Sequence, residues 1–270
     1  MKKYHKVLAI AGTDSGGGAG IPADIKAISA CGSFAMCAIT AVTAQNTLGV
    51  NEIHSIPPKI VASQIDAVFS DIGVDSVKIG MLHSADIVEI VASSLKKAGA
   101  INIVLDPVMV ATSGSILLKD EAVLALKKTL IPLAKIITPN VPEAEVLLGE
   151  KIDNQNNAEY FAKKLSQIGG TSVLLKAGHF VGENICDVLY NITTDKITKL
   201  PTKKIVTKNT HGTGCTLSSA IAAYLAQGFS LEDSVLRAKN YITNAIIKGA
   251  DYQFGSGHGP VNHFWSFFND

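Results

Sequence analysis

Short, unbroken apolar runs separated by longer amphipathic stretches recur from residue 7 almost to the end of the chain. That alternation limits the fold more than any other feature of the sequence. The runs at 7–11, 35–42, 76–79, 101–105, 135–138 and 172–175 read as strands. They are continuous rather than alternating, as expected of strands buried on both faces of a sheet. Helical patterns lie between and after them, at 19–30, 60–70, 85–98, 120–130, 158–168, 215–227 and 231–248. Strand–helix alternation at this spacing gives βαβ units. Two further strand-like runs, 185–190 and 197–200, have no helix between them and read as an antiparallel hairpin at one edge. The fold class expected is therefore α/β: a mostly parallel central sheet flanked by helices on both faces, with a small antiparallel edge. No linker or repeat divides the chain, so residues 1–270 are expected to form one domain.

Composition excludes several function classes. Apolar residues make up 47% of the chain and charged residues 17%, which is not the balance of a disordered protein. With 24 basic and 23 acidic side chains the formal charge is +1, too little for nucleic-acid binding by bulk charge. No apolar run reaches the 18 residues of a membrane span. The basic start, Met1-Lys2-Lys3, leads into an apolar stretch too short for a signal-peptide core, and a cytoplasmic location is expected. Four cysteines without a C-x-x-C pair argue against a zinc site and a disulfide framework. Cys31 and Cys37 read as small core residues.

Ligands of such a sheet bind beyond the carboxyl ends of its strands. The residues there are Gly12 to Ser15, Thr43 to Asn46, Gly80 and Met81, Asp106 to Val108, Pro139 to Glu143, and Lys176 to His179. Turn formers are expected at strand ends in any protein, but Gln45, Glu143 and Lys176 are not turn formers.

Three stretches could carry chemistry. The first is Asn209-Thr210-His211-Gly212-Thr213-Gly214-Cys215, which runs into an apolar helix face of Leu217, Ile221 and Leu225. Free N–H groups at a helix start form an anion site. The spacing fits equally a glycine-rich helix entry with Thr213 or Thr216 near the cap. Cys215 sits where a thiol pKa is expected to be lowered. The second stretch, Gly12 to Gly20, holds neither a Walker-type phosphate loop nor G-x-G-x-x-G. Asp24 behind it reads as solvent-facing. The third, Asn140-x-x-Glu143, supplies oxygen ligands that suit Mg²⁺ directly or through water, and is also a helix-entry pattern. His5, His54, His83, His258 and His263 read as loop or surface residues.

Taken together, these residues resemble the ribokinase-like superfamily. Within it they are most similar to the bacterial hydroxymethylpyrimidine/phosphomethylpyrimidine kinases of thiamine biosynthesis. The resemblance runs through LAIAGTDSGGGAGIPAD, ITAVTAQNTLGV, VFSDIGVDSVKIGML, NIVLDPVM, ITPNVPEAEVLL, KNTHGTGCTLSSAIAA and GHGPVNHF. THGTGCTLS and TAQNT are its most specific segments. Pro22 stands where relatives often carry Gln, and Gly16 where they often carry Ser or Thr. Proline is tolerated in a first helical turn.

The resemblance implies transfer from ATP, with Mg²⁺, to 4-amino-5-hydroxymethyl-2-methylpyrimidine and then to its monophosphate. It implies that Gln45 reads the aminopyrimidine edge, in a pocket shared with Gly12, Ala19, Asp24, Met81 and Val108. Asp106, Asn140 and Glu143 would organise Mg²⁺ and the triphosphate, with Glu143 and Asn140 nearest the metal, and Lys176 would hold the nucleotide. Gly212, Thr213, Gly214 and Cys215 would form the anion hole, with Cys215 accepting the hydroxymethyl proton. A homodimer is also implied. Three alternatives stand beside this reading: a pyridoxine or pyridoxal kinase or an enzyme accepting both rings, a non-catalytic sensor on the same fold, and a nicotinamide dehydrogenase, whose fingerprint is absent.

Overall fold

The computed structural model describes residues 2–109, 120–180 and 182–267. Its centre is an eight-stranded sheet built from the apolar runs. In chain order the strands are β1 (Lys6–Ala11), β2 (Phe34–Ile39), β5 (Ser76–Ile79), β6 (Ile103–Leu105), β7 (Ile136–Ile137), β8 (Ser172–Leu175), β9 (Asn184–Asn191) and β10 (Lys196–Lys203). In space the order is β10-β9-β8-β7-β6-β5-β1-β2. All pairings from β2 to β8 are parallel, and β9 runs antiparallel to both of its neighbours. The expected parallel sheet with an antiparallel hairpin at one edge is thus present.

The expected run 35–42 is divided. It turns at Thr40, whose hydroxyl donates to the carbonyl of Met81 at 2.8 Å. The chain then enters β3 (Ala41–Asn46), which pairs antiparallel with β4 (Gly49–Ser55) as a separate ribbon. In β3, Ala41 and Thr43 are buried while Val42 and Ala44 are exposed. The run therefore merges a strand buried on both faces with one wet on one face.

The helices are α1 (Gly20–Ala30), α2 (Pro58–Ala67), α3 (Ala85–Lys97), α4 (Asp120–Ala125), α5 (Val141–Leu148), α6 (Ala158–Ser166), α7 (Thr213–Ala226) and α8 (Leu231–Gly249). Single π-turns follow α2 and α4, at Val68–Ile72 and Leu126–Leu130. Strand side chains alternate between two apolar layers. Leu8, Ile10, Val77, Ile79, Ile103 and Leu105 face a core closed by α2 to α6. Val7, Ala9, Val104, Ile136 and Leu174 face a second core closed by α1, α7 and α8. Burying each large aliphatic side chain contributes about 1.5–3 kcal/mol.

One core position breaks the pattern. Lys78, between Val77 and Ile79 in β5, is fully buried on the side of α1 and α7, and its Nζ lies 2.7 Å from Oδ1 of Asp24. Asp24 is therefore not solvent-facing. It is the buried partner of a lysine 54 residues away.

α7 is sandwiched between the sheet, α1 and α8, and buries residues 216–223 without a break. A helix covered all round needs small side chains, and the buried polar ones here, Thr216, Ser218 and Ser219, are hydrogen-bonded.

Candidate active site

The order reverses between β1 and β5: β2 lies on one side of β1, and β5 to β8 extend on the other. At such a switch point the loops leaving the strands diverge and open a crevice. Here the crevice is a cleft of about 740 Å³. Every residue that the resemblance assigns to the site lines it except Asp24, which lies beneath its floor.

The loop 209–214 delivers the start of α7 to the cleft. Asn209 is buried and donates from its amide to the carbonyls of Gly249 and Tyr252 at 2.8 and 2.7 Å, which anchors the loop on the end of α8. Gly212 has φ +76°, and a Cβ there would collide with the carbonyl oxygen of Gly18. The two glycine-rich loops therefore pack backbone to backbone, which glycine alone permits. No side chain caps α7; the Thr213 N–H donates to the Thr210 carbonyl at 3.3 Å, and Gly214 and Cys215, which follow it, line the cleft. A Cβ on Gly214 would sit 3.3 Å from both Oδ2 of Asp106 and Nζ of Lys176. The helix start thus approaches an acid and a base closely.

Asp106 follows β6. Its Oδ1 accepts from Nζ of Lys176 at 2.9 Å and from Oγ1 of Thr138 at 2.8 Å. Burial works against its charge, but Lys176 and Lys78 outweigh that and hold the carboxyl below its ordinary range. Lys176 keeps its proton for the reciprocal reason: burial opposes the ammonium, and the Asp106 and Glu143 carboxyls overcome it.

Asn140 and Glu143 form a capping box at the start of α5. The Glu143 N–H donates to Oδ1 of Asn140 at 2.9 Å, and the Asn140 N–H donates to Oε2 of Glu143 at 2.8 Å. The helix-entry reading of N-x-x-E is therefore realised, and both residues still line the cleft. Burial pushes the Glu143 carboxyl up to about 7, against the pull of Lys176 and with a further push from Asp106.

Among the described residues no group of three His, Cys, Asp or Glu side chains stands ready to enclose a metal. The donors present, the carboxyls of Asp106 and Glu143 and the side-chain amide of Asn140, offer hard oxygens. That set fits Mg²⁺, which keeps several waters and binds through one or two carboxylates and a substrate phosphate.

Cys215 corrects an expectation. Burial pushes its thiol up to about 11, although the Lys78 ammonium and an N–H from Gly20 pull the other way. Burial outweighs the helix terminus, so at neutral pH Cys215 is a thiol.

The pyrimidine-reading candidates line the same cleft. Met81 and Ala41 form a small apolar patch joined by Val108. Gln45 enters the cleft from β3.

Asp14 and His211 were given no role by the sequence. The Asp14 carboxylate accepts from the amides of Gly16, Gly18 and Ala19 at 2.7, 3.0 and 2.8 Å, and lies 2.8 Å from Nε2 of His211. Burial raises its pKa, but the His211 bond and the Ala19 and Gly16 amides more than compensate and leave it below the ordinary value. The available signal was an Asp followed by small residues at 16, 18 and 19, the pattern of a side chain organising its own loop. His263 also departs from expectation. It is buried, with Nε2 3.0 Å from the Thr216 hydroxyl, and burial pushes its pKa down to about 4.

Comparison with known proteins agrees with this geometry. Residues 14–262 match the family model described as phosphomethylpyrimidine kinase. The hydroxymethylpyrimidine/phosphomethylpyrimidine kinase of Rhizobium meliloti is 45% identical over 265 residues, covering 97% of this chain and 98% of that protein. The thiamine biosynthesis bifunctional protein of Geobacter sulfurreducens is 49% identical over 257 residues, 95% of this chain and 52% of that longer one. Among solved structures, an ADP complex of Bacillus subtilis pyridoxal kinase superposes with a TM-score of 0.90 at 34% identity, covering 99% of this chain and 100% of that one.

Proposed function

The chain belongs to the phosphomethylpyrimidine kinase family, and we propose that it transfers phosphate from ATP to 4-amino-5-hydroxymethyl-2-methylpyrimidine and then to the resulting monophosphate, in thiamine diphosphate biosynthesis. The observation that carries this reading is one cleft lined by two chemistries: the start of α7 beside Asp106 and Lys176, and an apolar patch together with the Gln45 carboxamide.

Phosphoryl transfer asks a protein mainly for positioning and charge stabilisation. The amides of Gly212 to Cys215 take the developing charge on the transferred group. Lys176 is held at the Asp106 carboxylate and sets a fixed positive charge against the nucleotide phosphates. Asp106 and Glu143, with Asn140, would hold Mg²⁺. The metal supplies charge neutralisation across the phosphates when bound. Gln45 offers a donor and an acceptor side by side to the ring nitrogen and exocyclic amine of the pyrimidine. Gly12, Ala19, Met81 and Val108 wall the ring. Asp24, from below, supports the floor through Lys78 and Ser219.

Cys215 stands where the alcohol must lose its proton, and its ionised form is the acceptor. In the second transfer the attacking oxygen belongs to a phosphate whose second pKa is near 6, so no acceptor is needed. One domain spanning residues 1–270, acting as a cytoplasmic homodimer, completes the proposal. Among the described residues no helix is long and apolar enough to cross a membrane.

The likeness to pyridoxal kinase supports a second reading, in which the cleft also takes the vitamin B6 ring. The test is ATP consumption by the purified chain with each alcohol, with Mg²⁺ omitted as control. A higher kcat/KM for the aminopyrimidine supports the proposal, and a higher value for pyridoxal reverses it. Binding without turnover makes the chain a sensor.

A further inference from the structure

Two distances in the lining of the cleft set up a conflict that the chemistry of the groups resolves. Nε2 of His211 lies 2.8 Å from Oδ2 of Asp14 and 3.3 Å from the carboxamide nitrogen of Gln45. Asp14 already accepts three backbone N–H bonds, which makes it an ionised, acceptor-only group. The proton between Asp14 and His211 therefore resides on Nε2. A nitrogen that donates in this way cannot also accept from the NH₂ of Gln45.

The oxygen and nitrogen of a carboxamide share one shape, and the surrounding network decides which lies where. Turning the Gln45 amide over places its oxygen against the His211 N–H as a second, longer acceptor. It also places the NH₂ 3.3 Å from Oγ1 of Thr43. Thr43 suits that arrangement. Its hydroxyl proton is committed to the carbonyl of Thr13 at 2.8 Å, which leaves its oxygen as an acceptor.

We propose that His211 is a positioning residue that fixes the Gln45 carboxamide with its oxygen toward residue 211 and its NH₂ toward Thr43, and so selects which way round an aminopyrimidine enters the cleft. The inference rests on the role given to Gln45 above. An amide held in this way offers an N–H on the Thr43 side to the ring nitrogen and an oxygen on the His211 side to the exocyclic amine. Around a 4-amino-5-hydroxymethyl ring the order is ring nitrogen, amine, hydroxymethyl arm. With the nitrogen nearest Thr43 and the amine nearest His211, the arm falls beyond His211, toward Gly212 to Cys215. The opposite entry leaves the arm beside Thr43, away from the transfer site. A pyridoxal ring carries a carbonyl oxygen next to its hydroxymethyl arm and would meet the Gln45 oxygen acceptor to acceptor. The same device therefore discriminates between the two rings.

The experiment measures kcat and KM for the aminopyrimidine alcohol and for pyridoxal, at saturating Mg²⁺ and ATP, in the wild type, His211→Leu, His211→Gln and Gln45→Ala. In His211→Leu we expect KM for the aminopyrimidine to rise about tenfold, the size of one hydrogen bond. The ratio of kcat/KM, aminopyrimidine to pyridoxal, falls by a similar factor, and KM for ATP does not change. His211→Gln, which can place an N–H at the reach of Nε2, recovers most of the ratio. An equal loss with both rings, or an unchanged ratio, overturns the inference. If His211→Leu does not fold, Thr43→Val removes the acceptor for the amide NH₂ and must lower the same ratio; an unchanged ratio there also overturns it. Gln45→Ala separates the two levels. If it leaves the aminopyrimidine KM unaltered, the reading of the cleft itself fails. If it raises that KM while His211→Leu keeps the ratio, only the present inference fails.

Discussion

The ammonium of Lys78 lies 2.7 Å from the carboxylate of Asp24 with neither side chain accessible to solvent, and the Ser219 hydroxyl donates to the same oxygen at 2.8 Å. Lys78 belongs to β5 and Asp24 to α1. Ser219 lies one turn after Cys215 on α7. One buried charge pair thus ties β5, α1 and α7 together beneath the cleft. Burial opposes the Lys78 ammonium, but Asp24 more than offsets it and Lys78 holds its proton above the ordinary range.

Removing one member of such a pair leaves an uncompensated buried charge and typically costs about 3–5 kcal/mol. Lys78→Met and Asp24→Asn should each lower stability by that amount in urea denaturation. Lys78→Met combined with Asp24→Leu, which replaces both charges by apolar groups, should lose clearly less than the two single losses added. Single variants within about 0.5 kcal/mol of wild type, the range of ordinary surface substitutions, would show that the pair does not hold the site together.

The two glycines at the start of α7 predict different failures. Gly212→Ala forces an L side chain into φ +76° and against the Gly18 carbonyl, so it should lower both Tm and kcat. Gly214→Ala puts a methyl 3.3 Å from Asp106 and Lys176 without that backbone strain. It keeps the backbone N–H and should keep the wild-type Tm to within a few degrees, while crowding of Asp106 and Lys176 lowers kcat by about 10²-fold, as a small misplacement of reacting groups does. Circular dichroism melts and steady-state rates on both variants check this. A fully active Gly214→Ala enzyme contradicts the placement of the transferred group.

The two transfers should differ in their dependence on Cys215 and on pH. The thiol is pushed up to about 11 by burial, so the ionised fraction grows as pH rises from 7 toward 9. If the thiolate takes the alcohol proton, the first transfer rises over that interval by close to tenfold per pH unit, and the second stays flat. Cys215→Ala should lower the first more than the second and abolish the slope. Equal losses in the two half-reactions, assayed separately, would remove Cys215 from the role of acceptor.

Glu143 makes a stability prediction with a definite sign. Its carboxyl is raised by burial from 4.5 to about 7 in the folded chain. Between those values the native state binds more protons than the unfolded one, so stability falls as pH rises. The contribution is fully present below pH 4.5 and is lost as pH passes through 7. The Tm of the wild type relative to Glu143→Gln should therefore decline from pH 4.5 to pH 8. A difference that is constant or grows with pH would contradict the burial assigned to this carboxyl.

Much of this was legible in the sequence, for reasons that differ by residue. The parallel strands announce themselves because burial on both faces makes each a continuous apolar run, and the α7 motif because THGTGCTLS carries the family resemblance, although its spacing alone fits a plain helix entry equally well. The β3–β4 ribbon was hidden because Ala41 and Val42 extend the apolar run of β2 past the single Thr40, and only the Thr40 bond to Met81 marks the corner. α5 was not separated from the loop before it, although its capping box was readable in Asn140 and Glu143. Lys78 and Asp24 were illegible as a pair, since a lysine in an apolar strand acquires meaning only from a partner that the fold brings up from another element. For Cys215 the local rule for a helix terminus held, and tertiary burial overrode it.

The most direct test of the account is a crystal structure with the aminopyrimidine alcohol and a non-hydrolysable ATP analogue bound together. The account predicts the terminal phosphate within hydrogen-bond reach of the backbone amides of Gly212 to Cys215, the ring nitrogen and amine on Gln45, and the hydroxymethyl oxygen between that phosphate and the Cys215 sulfur. A triphosphate bound away from those amides would contradict it.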